Sequence, residues 1–338
     1  MSEIIYDDLV NEIRKFKGSS LVTACSEALW SIWTAPFNNK SITSDNNIEI
    51  HTIRAYAPRI AAICLATANE YRDRIANQHD VRTLCDLFVN VTEAFDSEQN
   101  KFQVDYIDKL KVCLANSSSL KKYASADEET IKISSTFLFV SRLLNSQWEH
   151  VTYDFSDVSR NWAIVNKFSD ITSKYKRELD KFLDNNTLED LIRHSFALYA
   201  LGFNNNGFIN LKPTTFDNVS NDWKLDFNKL KFTANSICCE ATCFKDWHND
   251  VKKIDLYYRK YFPLPFPKTP LLRCNETLHY FLCISPWHIL WCMRELCFNY
   301  ILSVTKTEQE KQEVLIEFGE ATQKYFLYAI KSLSLIHI

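Results

Sequence analysis

The amino-acid sequence predicts an all-α protein, built as an irregular multi-helix bundle or an α-solenoid-like stack, with its helices in one or two lobes. Apolar residues recur every three to four positions along most of the chain, which is the spacing of a helix face. Only four of the 338 residues are glycine, which leaves little material for the tight turns of a β-rich fold. The 46% of hydrophobic residues are enough to build a sizeable core.

In the first half of the chain, local signals mark where helices begin. Ser2 and Asp80 are predicted N-caps, because a short polar side chain accepts hydrogen bonds from the N–H groups of a first turn. Pro58 is expected to kink or restart the third helix, since proline lacks the N–H that a helix interior needs. The predicted helices cover residues 2–17, 20–33, a segment that follows the polar loop 38–47 and runs to about 76, a segment that starts at 80, and then 101–115, 127–144, 157–168 and 171–183.

In the second half, Thr187-Leu188-Glu189-Asp190 has the pattern of a capping box, and the helix that it opens is predicted to close near Gly202. Ser285-Pro286 predicts another helix start, because proline is favoured at the first helical position. The remaining predicted elements are helices near 223–244 and 247–261, a proline-rich turn at 262–270, a short helix at 276–283 and a last helix that a capping box opens at 307–310.

The domain organisation is predicted from composition. The segment from Gly202 to Asp222 holds half of the glycines and a proline, so it is the best boundary. We therefore expect an N-terminal helical lobe at 1–203, a linker at 204–222 and a C-terminal helical lobe at 223–331. Residues 332–338, SLSLIHI, resemble translated read-through of a sequencing adaptor, and we interpret them as a non-native tail that replaces further natural sequence. The alternative is a genuine apolar terminus that packs against a neighbouring element.

The small number of glycines argues against several enzyme classes. A phosphate-binding loop or a dinucleotide-binding turn needs several glycines close together, so that backbone amides can approach phosphate. The four glycines, at 18, 202, 207 and 319, match neither pattern. The sequence also contains no G-x-S-x-G motif, and no His is followed by Glu as a zincin helix requires.

Charge and targeting signals predict a cytoplasmic protein without a membrane span. The net charge of −3 gives no global basic field that would attract nucleic acid or anionic lipid. The acidic N-terminus, MSEIIYDDLV, lacks the features of a signal peptide, and eleven cysteines, an odd number, are atypical of a disulfide framework. The most apolar stretch, Thr277 to Val304, is interrupted by charged residues and a proline, which argues against a transmembrane helix.

The cysteines raise the question of a metal site. Four residues apart on a presumed helix, Cys239 and Cys243 would share a face, and His279 and Cys283 would do the same on another helix. Two such pairs facing each other would supply three thiolates and one imidazole for zinc. His288 and Cys292 compete for the same role. Free cysteine is commonly buried as a small apolar residue, so we expect packing, with no metal and no cofactor.

A short segment carries a possible nuclease pattern. Arg74-Ile75-Ala76-Asn77-Gln78-His79 resembles the loose R-x4–6-H pattern of HEPN ribonucleases. This resemblance, which covers only these residues, implies a metal-independent ribonuclease in a defence or toxin system. It would make Arg74 the ligand of the scissile phosphate and His79 the group that transfers a proton. Arg72 and His79 match the pattern as well, and so do Arg273 and His279. The alternative is that Arg74 and His79 are solvated residues at a helix end.

One local patch interleaves cations with aromatic residues, as proteins that bind RNA or single-stranded nucleic acid do. Its cations are Lys252, Lys253, Arg259 and Lys260. On a helix these side chains would equally form an ordinary solvated face. The sequence therefore favours a helical protein-binding or scaffolding module without chemistry of its own, acting on a protein partner. The HEPN-like ribonuclease is the alternative function.

Overall fold

The computed structural model describes residues 2–35, 44–67, 72–99, 155–212, 225–253, 264–275 and 279–336. About 75% of it is helical, which confirms the all-α class. The predicted helices at 101–115 and 127–144 lie outside the described residues. In chain order the described elements are α1 (Ser2–Ile13), α2 (Gly18–Thr34), α3 (Ser44–Thr67), α4 (Gln78–Gln99), α5 (Phe155–Lys167), α6 (Ile171–Lys174), α7 (Lys176–Phe182), α8 (Leu188–Phe203), β1 (Phe208–Asn210), α9 (Phe227–Ser236), β2 (Cys238–Cys239), α10 (Ala241–Lys252), β3 (Leu271–Asn275), β4 (Tyr280–Cys283), α11 (Pro286–Val304) and α12 (Glu308–Ile336).

The chain forms two compact units, and two separate stretches of sequence build each of them. Unit 1 comprises Met1–Val151 and Glu240–Pro265, and unit 2 comprises Thr152–Cys239 and Phe266–Ile338. Contacts thus group the chain differently from the predicted lobes, 1–203 and 223–331, which are continuous in sequence. The predicted linker 204–222 contains β1, and its residues from 213 onward lie outside the described part of the chain. The division into lobes and the non-native tail at 332–338 stay predictions.

Helices α1 to α4 and α10 form the described core of unit 1. Helix α2 packs on α3 and α4, α1 packs on α4, and α10 packs on α3. Their apolar faces are removed from water, which is the main source of stability of such a bundle. The largest fully buried side chains of this core are Leu9, Ile13, Leu21, Leu29, Trp30, Ile60, Ile63 and Phe244.

The predicted third helix differs from α3 in two respects. Helix α3 ends at Thr67 rather than near residue 76, and it continues through Pro58 without restarting. The chain from 72 to 77 is instead extended, and Arg74 pairs with Phe16 in an isolated parallel bridge. The Lys17 N–H donates to the Arg74 carbonyl at 2.8 Å. A helix that ran through Arg74 could not make this backbone pairing with Phe16 and Lys17.

The start of α4 also differs from the prediction. Asn77, rather than Asp80, lies at the N-cap, and its side-chain oxygen accepts from the N–H groups of His79 and Asp80 at 2.8 and 3.1 Å. The Asp80 carboxylate accepts from the Asn77 N–H at 3.0 Å, so the two residues cap the helix reciprocally. The cap prediction was therefore wrong by three positions, although both residues serve the helix start.

Unit 2 contains a small sheet that the sequence patterns did not predict. Its strand order is β1-β4-β3-β2; β4 pairs antiparallel with β1 and β3, and β2 pairs parallel with β3. The predicted helix at 276–283 is wrong at its described end, where β4 begins at Tyr280. The predicted helix at 223–244 is wrong as well, because β2 separates α9 from α10. Pairing of Cys238 and Cys239 with Leu271 and Leu272 overrides local helix preference.

The helices of unit 2 pack around α11, which contacts α5, α7 and α8, while α12 packs on α5, α6 and α11.

Two predicted capping boxes are confirmed. The hydroxyl of Thr187 accepts from the Asp190 N–H at 3.0 Å, and the hydroxyl of Thr307 accepts from the Glu310 N–H at 3.1 Å. The predicted start at Ser285-Pro286 is confirmed too, since Ser285 is the N-cap of α11. The helices that the structure describes include none with the length and apolar content for a membrane span.

A buried polar cluster joins α8 to the start of α9. The Asp190 carboxylate accepts from Thr187 and from the Lys229 ammonium, the latter at 2.8 Å. His194 is 1% exposed; its Nδ1 lies 2.6 Å from the Asp190 carbonyl oxygen, and its Nε2 accepts from the Asp226 N–H at 3.2 Å. Nδ1 faces an acceptor and Nε2 faces a donor, so the imidazole is neutral and carries its proton on Nδ1.

Candidate functional site

Arg74 is tied into the fold of unit 1. Its Nη2 donates to Asp80 Oδ1 at 2.9 Å, and its guanidinium carbon lies 4.1 Å from the centre of the Phe16 ring. The side chain of Arg74 is 53% exposed, whereas that of Asp80 is only 16% exposed. Both contacts satisfy the guanidinium locally, so an incoming phosphate would have to compete with a carboxylate.

Arg74 lines a groove beside α4, which we call the α1/α4 groove. Its volume is about 440 Å³. Three carboxylates and a single arginine contribute to it, which makes it electronegative and better suited to a cation than to phosphate. The residues that line it are Glu12, Phe16, Arg74, Asp80, Thr83, Leu84, Asp86, Leu87 and Asn90.

His79 lines a different cavity, the α3/α4 groove, with a volume of about 200 Å³. In this groove Arg82 pairs with Glu49 at 2.7 Å. The two grooves share Thr83 and Asp86, but Arg74 lines only the first and His79 only the second. The structure therefore brings these two residues near one helix end without placing them in one cleft. The ribonuclease alternative stays a prediction. The full α3/α4 lining is Glu49, Thr52, Ile53, His79, Arg82, Thr83, Cys85 and Asp86.

The four residues of the hypothetical zinc site do not form helical pairs, so that part of the prediction was wrong. Cys239 lies in β2 and Cys243 is exposed on α10. Cys283 lies in β4, and His279 precedes that strand in a turn with φ of 48°. The part of the chain described by the structure holds no group of three or more His, Cys, Asp or Glu side chains that could bind a metal.

Two of these cysteines lie in the core of unit 2 as thiols. The Cys239 Sγ lies 3.5 Å from the carbonyl oxygens of Thr269 and Leu271, and the Cys283 Sγ lies 3.2 Å from that of Ser285. A thiol bonded to a carbonyl is a donor and keeps its proton. Burial raises the pKa of Cys283 well above the ordinary value, which disfavours the thiolate that metals and electrophiles require.

Unit 1 has its own buried thiols, Cys25, Cys64 and Cys85, on α2, α3 and α4. Burial raises the pKa of Cys25 well above its ordinary value, and proximity to Cys85 and Cys64 raises it further. Burial likewise raises the pKa of Cys85. The three thiols lie where the helices pack together, and their chemistry is that of small apolar residues.

The basic patch is only partly described. Lys252 and Lys253 are exposed at the end of α10, and the Lys253 ammonium lies 2.8 Å from Asp250 Oδ1. Arg259 and Lys260 lie outside the described residues. The nucleic-acid hypothesis for this patch therefore stays a prediction.

The predictions from sequence missed the most prominent surface, which lies on α12. One side of this helix packs in unit 2, where Val314 and Ala321 are buried and Phe318 stacks at 4.5 Å on Phe298. The opposite side, which we call the outer face, is apolar too. Five of its large apolar side chains are 44–61% exposed: Leu315, Ile316, Phe326, Leu327 and Ile330. Gly319 and Gln323 complete the outer face at helical spacing.

A signal for this surface was present in the sequence. Helix α12 carries two apolar stripes on opposite sides, while a surface helix with one packed face needs a single stripe. When apolar positions are counted without regard to which side of the helix they lie on, the second stripe is not recognised.

Comparisons of the chain with protein-family models, with curated proteins and with solved structures found no match. Within the described residues, the fold and the outer face thus define an all-α protein with an exposed apolar helix surface, and the comparisons add no family to that description.

Proposed function

We propose that the protein is a helical protein-binding or scaffolding module without chemistry of its own, and that it binds a protein partner through the outer face of α12. The exposure of five large apolar side chains on that face is the observation that carries the proposal. Burying such side chains contributes about 25 cal/mol per Å² of apolar surface. Contiguous apolar patches on a folded protein commonly mark interaction sites.

Several contacts fix α12 to the rest of unit 2. The Glu317 carboxylate accepts from the Asp170 N–H at 3.0 Å, and Glu313 pairs with Lys174 at 3.2 Å. The rings of Phe168 and Tyr325 pack edge-on at 5.7 Å. Because the inner face of α12 is fixed to unit 2, the outer face is presented as a preformed surface. A partner therefore does not have to order the helix on binding, which lowers the entropic cost.

We place this function in the cytoplasm. The ten cysteines within the described residues are thiols that form no disulfide, which fits a reducing compartment. Several of these thiols are buried in the cores of the two units, where an oxidised form would disturb packing.

Photo-crosslinking tests the proposal. A photoreactive phenylalanine analogue replaces Phe326 in the outer face, and a matched control carries it at Lys181, an exposed position of α7. We expect a covalent protein adduct from position 326 and none from position 181. Hydroxyl-radical footprinting of the dilute monomer can contradict the proposal. If Phe326 is protected from oxidation, the chain covers its own outer face, and the proposed function is wrong.

A further inference from the structure

The outer face of α12 has the spacing of a helix-pairing seam. Ile316, Gly319, Gln323, Phe326 and Ile330 follow one another at intervals of three, four, three and four residues, as the core positions of a coiled coil do. A methyl group at Gly319 would meet no described atom within 4 Å. Gly319 thus leaves a shallow notch at the middle of the seam, where a side chain of a second helix can approach closely.

Along one edge of this seam, the negative charges come first in the helix and the positive charges follow. At 100° per residue, Glu313, Glu320, Lys324 and Lys331 all lie beside the same edge of the outer face. Both carboxylates are in the first half of the helix and both ammonium groups are in the second half. All four side chains are exposed at the surface of unit 2.

This arrangement is complementary to itself when the second helix runs in the opposite direction. In a parallel pair with a twofold axis along the helices, this edge would face the opposite edge of the second copy, so its four charges would not meet one another. In an antiparallel pair the same edges of the two copies face each other. With a twofold axis near residue 322, Glu320 comes beside Lys324 of the second copy, and Glu313, which also pairs with Lys174 of its own chain, comes beside Lys331. The same reversal brings Ile316 of one copy towards Phe326 and Ile330 of the other, while Gln323 lies near the axis.

We propose that the partner of the outer face is the same face of a second copy of this chain, packed antiparallel to form a homodimer. This inference rests on the proposed function and names its partner. The seam from Leu315 to Ile330 is about 24 Å long, at about 1.5 Å of rise per residue. One helix from each copy makes the whole proposed contact, so we expect the dimer to be reversible and to depend on protein concentration.

Charge reversal tests the geometry. Glu320→Lys and Lys324→Glu each replace two attractive pairs of the dimer with two repulsive ones, while both positions remain exposed on a helix. Sedimentation velocity over a wide range of concentrations should show a dimer for the wild type. Each variant should have a dissociation constant raised about tenfold or more. An equimolar mixture of the two variants should restore dimers, because each Lys pair then faces a Glu pair. Lys176→Glu, on exposed α7, is the matched control and should dimerise like the wild type.

Three results would overturn the homodimer: a wild type that is monomeric at every concentration, variants that dimerise as well as the wild type, or a mixture that stays monomeric. Footprinting of Phe326 separates this failure from failure of the proposed function. A monomer in which Phe326 is readily oxidised keeps an open binding face for a different protein, so only the homodimer is wrong. A monomer in which Phe326 is protected contradicts both proposals.

Discussion

At the scale of single residues, Arg74 and His79 serve the packing of unit 1. Arg74 stacks on Phe16 and pairs with Asp80, and His79 contributes its N–H to the Asn77 cap. The six-residue pattern that suggested a nuclease is thus also explained by two structural roles: His79 is part of the N-terminal cap of α4, and Arg74 packs on Phe16.

We expect the purified protein to leave RNA intact, because Arg74 and His79 line different grooves. A fluorescent single-stranded RNA measures cleavage by the wild type, Arg74→Ala and His79→Ala. Arg74→Ala should instead lower the free energy of unfolding by about 1 kcal/mol, since it removes a cation–π contact and a half-exposed ion pair. Cleavage by the wild type that both substitutions abolish would establish the ribonuclease alternative.

A second prediction concerns His194 in unit 2. Burial lowers the pKa of His194 below its ordinary value of 6.5, and its bond to the Asp190 carbonyl offsets part of that effect. The unfolded chain therefore binds a proton at a higher pH than the folded chain does. It follows that the free energy of unfolding decreases as pH falls below about 6.5.

Urea denaturation at several pH values between about 5 and 7 measures this dependence. We expect His194→Gln to reduce the slope of unfolding free energy against pH. Equal slopes for the wild type and His194→Gln would show that His194 does not titrate with unfolding.

Two residue-scale predictions from sequence succeeded because the partners are close in sequence, although the cap at Asp80 was placed three positions too late. Thr187 and Asp190 are three positions apart, as are Thr307 and Glu310, so local pattern alone identified both boxes. The zinc hypothesis depended on Cys239 and Cys283 being helical. Their strand conformation is set by pairing with β3, and that contact has no local signature.

At the scale of elements, α10 shows how a short helix gains its stability. It has only 12 residues, and its first turn carries no acidic residue. Isolated helices of this length are marginal in water, so packing on α3 has to hold it. Phe244 is the largest side chain on its packed face that is fully buried.

Phe244→Ala should destabilise the protein by about 3–5 kcal/mol, because it removes a buried aromatic ring and leaves a cavity. Cys243→Ala is the matched control: this neighbour is exposed on the same helix, and its replacement should change stability by less than about 0.5 kcal/mol. Thermal or urea denaturation of the three proteins gives the comparison. Similar stabilities for both variants would mean that α10 does not depend on its contact with α3.

The sequence predicted most described helices because their apolar faces follow a regular period. The ends at Thr67 and Ser236 were missed. Helix α9 stops just before β2 pairs with β3, and the backbone pairing at Arg74 is incompatible with a helix as far as residue 76. The outer face of α12 was missed for a different reason: the pattern shows that a position is apolar, but it does not show whether a neighbouring element covers it.

At the scale of the whole molecule, the chain passes from unit 1 to unit 2, returns for residues 240–265 and then completes unit 2. No composition signal marks these crossings, because they are defined by which distant segments pair. The all-α class was predictable from glycine content and helical period, whereas the assignment of α10 to unit 1 required the contacts themselves.

This organisation predicts that unit 2 folds without residues 240–265. Cys239 contacts Thr269, with 3.5 Å between the Cys239 sulfur and the Thr269 carbonyl oxygen, so a short Gly/Ser linker can join residues 239 and 266. We expect the joined chain, 152–239 plus 266–338, to unfold cooperatively with helical circular dichroism. The fragment 152–239 alone lacks β3, β4, α11 and α12, and it should show no cooperative transition. A joined chain that behaves like this fragment would contradict the division into units.

The sheet of unit 2 has a further consequence for how the protein behaves when it is heated or concentrated. Its two outer strands, β1 and β2, have only three and two residues, while the longer β3 and β4 lie between them. A long free strand edge is a template on which other chains add strands and grow fibrils. Edges this short offer room for few intermolecular backbone hydrogen bonds. Growth of cross-β aggregates from the native sheet is therefore disfavoured, and such aggregates would have to start from chains that have already lost this fold.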